Sequence, residues 1–115
     1  MKGRRLSKHR NKLDSIFFAL SNDKRRKILN LLLKKDTSVT ELSNLMLIGI
    51  ASTSKHLQIL LSVGLISQRK SGKKTFCSFE TNELIPAIVW LESFGNLNVL
   101  DLDSLEQYFT DEAIL

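Results

Sequence analysis

A mostly α-helical domain with one small antiparallel β-hairpin is the fold class the sequence predicts, on three observations. Apolar residues recur at helical spacing, with capping residues between the runs, from residue 13 to 62. Residues 64–80, GLISQRKSGKKTFCSFE, read as two short strands around a Ser-Gly-Lys-Lys tip. The 115 residues are 43% hydrophobic and 25% charged, which suits one domain with one core. The expected organisation is a basic N-terminal arm (1–12), the main domain (13–94) and a C-terminal helical segment (95–115).

The first helix is read from LDSIFFAL (13–20). Ser21 is placed to cap a second helix that ends near Lys35, where positive charge suits the C-terminal dipole. SVTE (38–41) has the form of a capping box, Ser38 accepting from the backbone and Glu41 reaching back. It opens a third helix whose buried stripe is expected to be Val39, Leu42, Leu45 and Met46. Gly49 then supplies a turn into a fourth helix. At 100° per residue that helix gathers Thr53, Leu57, Leu60 and Leu61 on one arc. Ala51, Lys55, Gln58 and Ser62 point away, with Ser52 and Ser54 on the flanks. Such a face is unusual for a solvated helix, which would favour Glu and Lys. Small residues allow close approach to a groove, and Lys, Gln and Ser hydrogen-bond base edges and phosphates. His56 lies at the rim of the arc, where a partly buried structural histidine and a phosphate contact are both open. In the hairpin, Phe76 and Phe79 flank Cys77 and Ser78, while Arg69, Lys70, Lys73 and Lys74 gather near the tip. A hairpin with a cationic end beside a helix-turn-helix is a wing.

Charge is divided along the chain. All 17 Lys and Arg lie between Lys2 and Lys74 with only four acids, a net +13, whereas residues 75–115 carry eight acids and no base. The basic part suits a polyanion, although a solvated basic surface is the simpler alternative. The apolar runs, such as LMLIGI (45–50), fall far short of the roughly 20 residues of a membrane span. No membrane insertion is expected. The N-terminus lacks signal-peptide features, and the single cysteine suits a reducing compartment, so a cytoplasmic location is expected.

FFALSNDKRRKILNLL (17–32), SVTELSNLM (38–46), STSKHLQILLSVGLI (52–66) and RKSGKKTFCSF (69–79) together resemble the winged helix-turn-helix repressors of the ArsR/SmtB family. LDSLEQYF (102–109) is further similar to its SdpR-like branch. The resemblance implies a homodimeric repressor of double-stranded DNA, held together by its first and last helices. Candidate DNA contacts are then Ser38, Thr40, Ala51, Ser52, Ser54, Lys55, His56 and Gln58, with Arg69, Lys70, Lys73 and Lys74 on the wing. Candidate dimer contacts are Ile16, Phe17, Trp90, Leu91, Phe94, Leu102 and Leu105, an apolar surplus beyond what a small core with a wing buries. Pro86 suits the first turn of the helix carrying Trp90.

Two departures from the family stand out. Metal-sensing members carry cysteine where the third helix starts, or Asp and His ligands on the last helix. Here the first segment is DTSVTEL (36–42), residues 82–115 contain no His or Cys, and His9, His56 and Cys77 are too scattered for a tetrahedral site. No metal or cofactor is expected. FGNLN (94–98) breaks what is commonly a continuous helix. Enzymatic constellations are not found: there is no Gly-rich phosphate loop, no HExxH, and no serine beside a base and an orienting acid. Asp101, Asp103 and Glu106 fit helix capping and solvation. Two other readings stay open. One is a regulator responding to a small ligand or to modification of Cys77. The other is a protein-interaction module whose acidic C-terminal segment binds a protein partner.

Overall fold

Helices α1 (Lys8–Leu20) and α2 (Asp23–Lys34) are separated by two residues, and each takes one of them as its boundary. The computed structural model describes residues 8–95, with side chains from Lys12 onward. Asn22 caps α2, its side-chain oxygen accepting from the Lys24 and Arg25 amides at 2.9 and 3.2 Å. Ser21 does not take that role as expected. Its hydroxyl donates to the Phe18 carbonyl at 2.6 Å and so closes the end of α1. Helix α1 also begins at Lys8, inside the stretch read as the arm.

Strand β1 (Thr37–Ser38) leads directly into α3 (Val39–Met46). Ser38 caps α3 as expected, accepting from the Glu41 amide at 3.1 Å. The buried residues of α3 are Leu42 and Ser43; Leu45, expected in the stripe, is exposed. The Ser43 hydroxyl instead donates to the Ile48 carbonyl at 2.6 Å and holds the following turn. That turn, residues 47–49, joins α3 to α4 (Ile50–Ser62) at a bend of 113°, within the range of a helix-turn-helix. The residue in the left-handed region is Leu47, at φ 59°, and not Gly49, whose φ is −67°. An exposed leucine there carries a backbone cost that Gly or Asn would avoid.

Helix α4 buries Thr53, Leu57 and Leu60, the two leucines clustering with Ile28, Leu29 and Leu32 of α2 and Leu42 of α3. Leu61, expected on the same arc, is exposed, because the buried stripe is narrower than the arc. Thr53 is tolerated in the core because its hydroxyl donates to the Gly49 carbonyl one turn back, at 3.0 Å. The helix ends in a Schellman motif. Gly64, at φ 84°, donates to Leu61 at 3.1 Å and Leu65 donates to Leu60 at 3.0 Å, with both leucines of the latter pair fully buried.

The hairpin β2 (Ile66–Ser71) and β3 (Lys74–Phe79) pairs Ile66 with Phe79 through Ser71 with Lys74. Its loop is therefore only Gly72–Lys73, with Gly72 at φ 64°, where a two-residue hairpin needs positive φ. Strand β1 adds to the other edge of β3, Thr37 opposite Cys77 and Ser38 opposite Phe76, giving the sheet order β1-β3-β2. A short 3₁₀ turn (Thr81–Leu84) then leads to α5 (Ile85–Glu92), with Pro86 in its first turn as expected. Helix α5 packs on α1, the Phe17 and Trp90 rings meeting edge to face at 5.5 Å. Lys12 and Glu83 form an ion pair at 2.6 Å. Among the described residues, no single helix is long and apolar enough to cross a membrane.

Asn22→Ala is expected to destabilise the protein by about 1 kcal/mol in urea unfolding, and Ser21→Ala by clearly less. Equal losses would show that Asn22 is not the cap that matters.

Candidate nucleic-acid interface

The turn at residues 47–49 and the Schellman ending of α4 set one helix face and one hairpin beside each other. Between them lies a groove of about 350 Å³ lined by Val39, Thr40, Ser54, Leu57, Gln58, Gln68, Lys73, Lys74 and Thr75. Five residues anticipated as DNA contacts thus converge: Thr40 from α3, Ser54 and Gln58 from α4, and Lys73 and Lys74 from the wing tip. Gln68 and Thr75 were not anticipated. They sit on neighbouring strands and face the same groove, which the pairing register shows and hairpin composition alone does not. Ala51, Ser52 and Lys55 are exposed on α4 outside the groove lining.

Three anticipated contacts have other work. Ser38 is only 4% exposed, caps α3 and pairs within the sheet, so its side chain has little surface for a ligand. Arg69 lies 3.6 Å from Asp36 and its guanidinium covers the Phe76 ring at 5.1 Å, which leaves Lys70 as the freer cation of the β2 strand. His56 turns its Nδ1 towards the guanidinium of Arg25, at 3.4 Å. Burial, and then the charges of Arg25 and Lys24, hold the imidazole below the ordinary histidine range, with Asp23 opposing. The ring is therefore neutral near pH 7, with its proton on Nε2 if Nδ1 accepts from Arg25. Of the two roles left open for His56, this geometry favours the structural one.

Arg25, one of four consecutive basic residues at 24–27, is only 5% exposed. Its Nε donates to the Ala19 carbonyl at 2.8 Å and its Nη2 to the Phe18 carbonyl at 3.0 Å. Arg26 donates to the Leu20 carbonyl at 2.7 Å. The last turn of α1 is thus capped by cations from α2, where its dipole favours them. The only sequence signal is the spacing: the arginines follow the end of α1 by five and six residues.

Cys77 is fully buried beneath the wing, and burial raises its thiol pKa, with a lesser lowering by Gln68 and a raising by Asp36. The Gln68 amide donates to its Sγ at 3.5 Å. Such a thiol is protonated and shielded, which makes it a poor nucleophile. Among the described residues, no three His, Cys, Asp or Glu side chains are gathered as metal ligands would be.

A second face is apolar. In α5 only Ala87 is buried, while Ile85, Ile88, Val89, Trp90 and Leu91 are exposed, as is Phe94 just past its end. Of the anticipated dimer contacts, Phe17, Trp90, Leu91 and Phe94 lie on or beside this face. Ile16 does not. It is fully buried within its own chain, having been grouped with its aromatic neighbours by sequence proximity alone. Leu102, Leu105 and the acidic C-terminal segment lie outside the described residues.

These elements define a winged helix-turn-helix protein of the DNA-binding regulator class. Residues 22–68 match the family described as bacterial regulatory protein, arsR family. The chain is 33% identical over 90 residues to the transcriptional repressor SdpR of Bacillus subtilis strain 168, covering 78% of this chain and all of that one. It is also similar to the solved ArsR-like transcriptional regulator from Rhodococcus sp. RHA1, at 28% identity and a TM-score of 0.70 over 85% of this chain and 90% of that one. The fold is shared with the homodimeric winged helix-turn-helix DNA-binding domain Mb0332 of Mycobacterium bovis, at 24% identity and a TM-score of 0.65, covering 78% and 84% of the two chains. The chain belongs to the arsR family of bacterial transcriptional regulators.

His56 is expected to titrate in NMR with a midpoint below the ordinary 6.5. Because the folded pKa is depressed, its contribution to stability is complete above about 6.5 and is lost as pH falls through the folded value. A midpoint above 6.5 would mean that the ring is held as a cation.

Proposed function

We propose that this protein is a homodimeric, sequence-specific repressor that binds double-stranded DNA with α4 in the major groove and the wing on the adjacent backbone or minor groove. The observation that carries the reading is the convergence of Thr40, Ser54, Gln58, Lys73 and Lys74 on one groove between the helix and the wing. Short polar groups on α4 suit base edges, whereas lysines at a hairpin tip suit phosphates. Ser52, Lys55 and Lys70 extend the same surface. Cellular function then lies in the cytoplasm, where the DNA is, and no catalytic step is required. Regulation through the Cys77 thiol is disfavoured by its burial.

The homodimer is supported by the exposed apolar face of α5 and by the homodimeric state of the Mycobacterium bovis relative. Among the described residues this eight-residue helix buries only Ala87, which leaves an apolar face open to a partner. A second copy, related by a twofold axis, would set the two α4 helices about 34 Å apart, one turn of DNA. Light scattering is expected to give a dimer at micromolar concentration, and Trp90→Glu to shift it towards monomer. A wild-type monomer would remove the proposal.

Helix and wing are separable by titration on two duplexes, one selected from random DNA and one scrambled, at several salt concentrations. Gln58→Ala or Lys55→Ala should cost about 1 to 3 kcal/mol on the selected duplex and much less on the scrambled one. Changing Lys73 and Lys74 together to Ala should weaken both duplexes by similar factors and lower the salt slope by roughly 1 to 2 per half-site. Equal losses on both duplexes for the helix variants would show that α4 holds backbone and does not read sequence.

A further inference from the structure

Arg25 is the only Lys or Arg buried among the described residues. A buried guanidinium persists only where its donors are used, and here they are spent on two other helices. Two donors hold the Phe18 and Ala19 carbonyls at the end of α1, and the plane covers the Phe18 ring at 5.1 Å. The remaining nitrogen reaches Nδ1 of His56, one residue before the buried Leu57 of α4. One side chain from α2 therefore touches both the helix adjoining the apolar face and the helix facing the groove. Aliphatic packing through Leu57 and Leu60 alone lets a helix roll slightly about its stripe, whereas a directional polar contact opposes that roll.

We infer that Arg25 is a positioning residue: acting through His56, it fixes the orientation of α4 relative to α1, and thereby the half-site spacing that the dimer accepts. This role rests on the homodimeric DNA-binding reading above. Lysine cannot replace it, because a single ammonium cannot span both α1 carbonyls and the imidazole with the geometry of a planar fork. Asparagine can replace His56 in part, since its side-chain oxygen offers an acceptor close to where Nδ1 lies.

The test uses the full chain and the duplex selected from random DNA, together with versions whose centre is lengthened or shortened by one base pair. Wild type is expected to lose at least about tenfold in affinity on the altered duplexes, the scale of one lost specific contact. Arg25→Lys and His56→Leu should both reduce that loss to about threefold or less, and His56→Asn should restore discrimination relative to His56→Leu. The leucine variant leaves the Arg25 bonds to Phe18 and Ala19 in place, so it keeps the test open should Arg25→Lys fail to fold. A role in stability alone would lower affinity for all duplexes by one factor and leave the spacing ratio unchanged. That outcome, or a wild type indifferent to spacing, overturns the positioning role. A wild type that binds no duplex overturns the DNA-binding reading itself.

Discussion

Everything that faces outward from this domain depends on the burial of three residues in α4. Leu57 and Leu60 cluster with the leucines and isoleucine of α2, Thr53 is buried one turn earlier, and at 3.6 residues per turn that choice leaves Ser54, Lys55 and Gln58 turned away from the core. The same stripe continues past the helix end, where buried Leu60 and Leu65 meet across the Schellman turn and Ile66 starts the hairpin inside the core. Packing, capping and strand pairing thus enforce one arrangement of helix and wing. Agreement between independent local preferences is what gives a sequence a single structure.

Much of this was legible because it follows from periodicity and local chemistry. The fourth helix, the hairpin, the Ser38 cap and the place of Pro86 are all decided within a few residues of themselves. What escaped was decided by distant partners. Strand β1 is two residues long and was hidden under the capping box that overlaps it; only the free edge of β3 makes it a strand. Asn22 and Ser21 are both good caps, and the choice between them depends on where α1 stops. Ile16 sits among aromatics in sequence but points inward, and Leu45 and Leu61 satisfy a helical wheel yet find no neighbour to cover them.

Site residues divide along the same line. Thr40, Ser54, Gln58, Lys73 and Lys74 were each singled out as a plausible DNA contact in its own element, and the fold brings them to one groove. Gln68 and Thr75 become visible only once the register places them over the groove. Arg25 was the hardest to see: in DKRRK it is indistinguishable from its solvated neighbours, and its burial follows from the carbonyls that α1 leaves unsatisfied. Of the two readings open for His56, the contact with Arg25 favours the partly buried structural one.

The two-residue loop of the hairpin has a mechanical consequence. Both strands are anchored at the end of α4, where the Glu80 amide also donates to Leu65 at 2.8 Å, and β3 is held again by β1 as far as Phe76, so only the tip beyond that pair projects as a lever. From Phe76 to the tip, three residues at about 3.3 Å each make an arm of roughly 10 Å. A tilt of a few degrees at the fulcrum displaces the tip by about 0.5 to 1 Å on that length. Residue types follow the displacement. Lys73 and Lys74, at the far end, are long, rotatable point charges whose reach exceeds such a swing. Ser54 and Gln58 are shorter groups on α4, which its buried Leu57 and Leu60 fix in the core, so they do not share the swing of the tip they face across the groove.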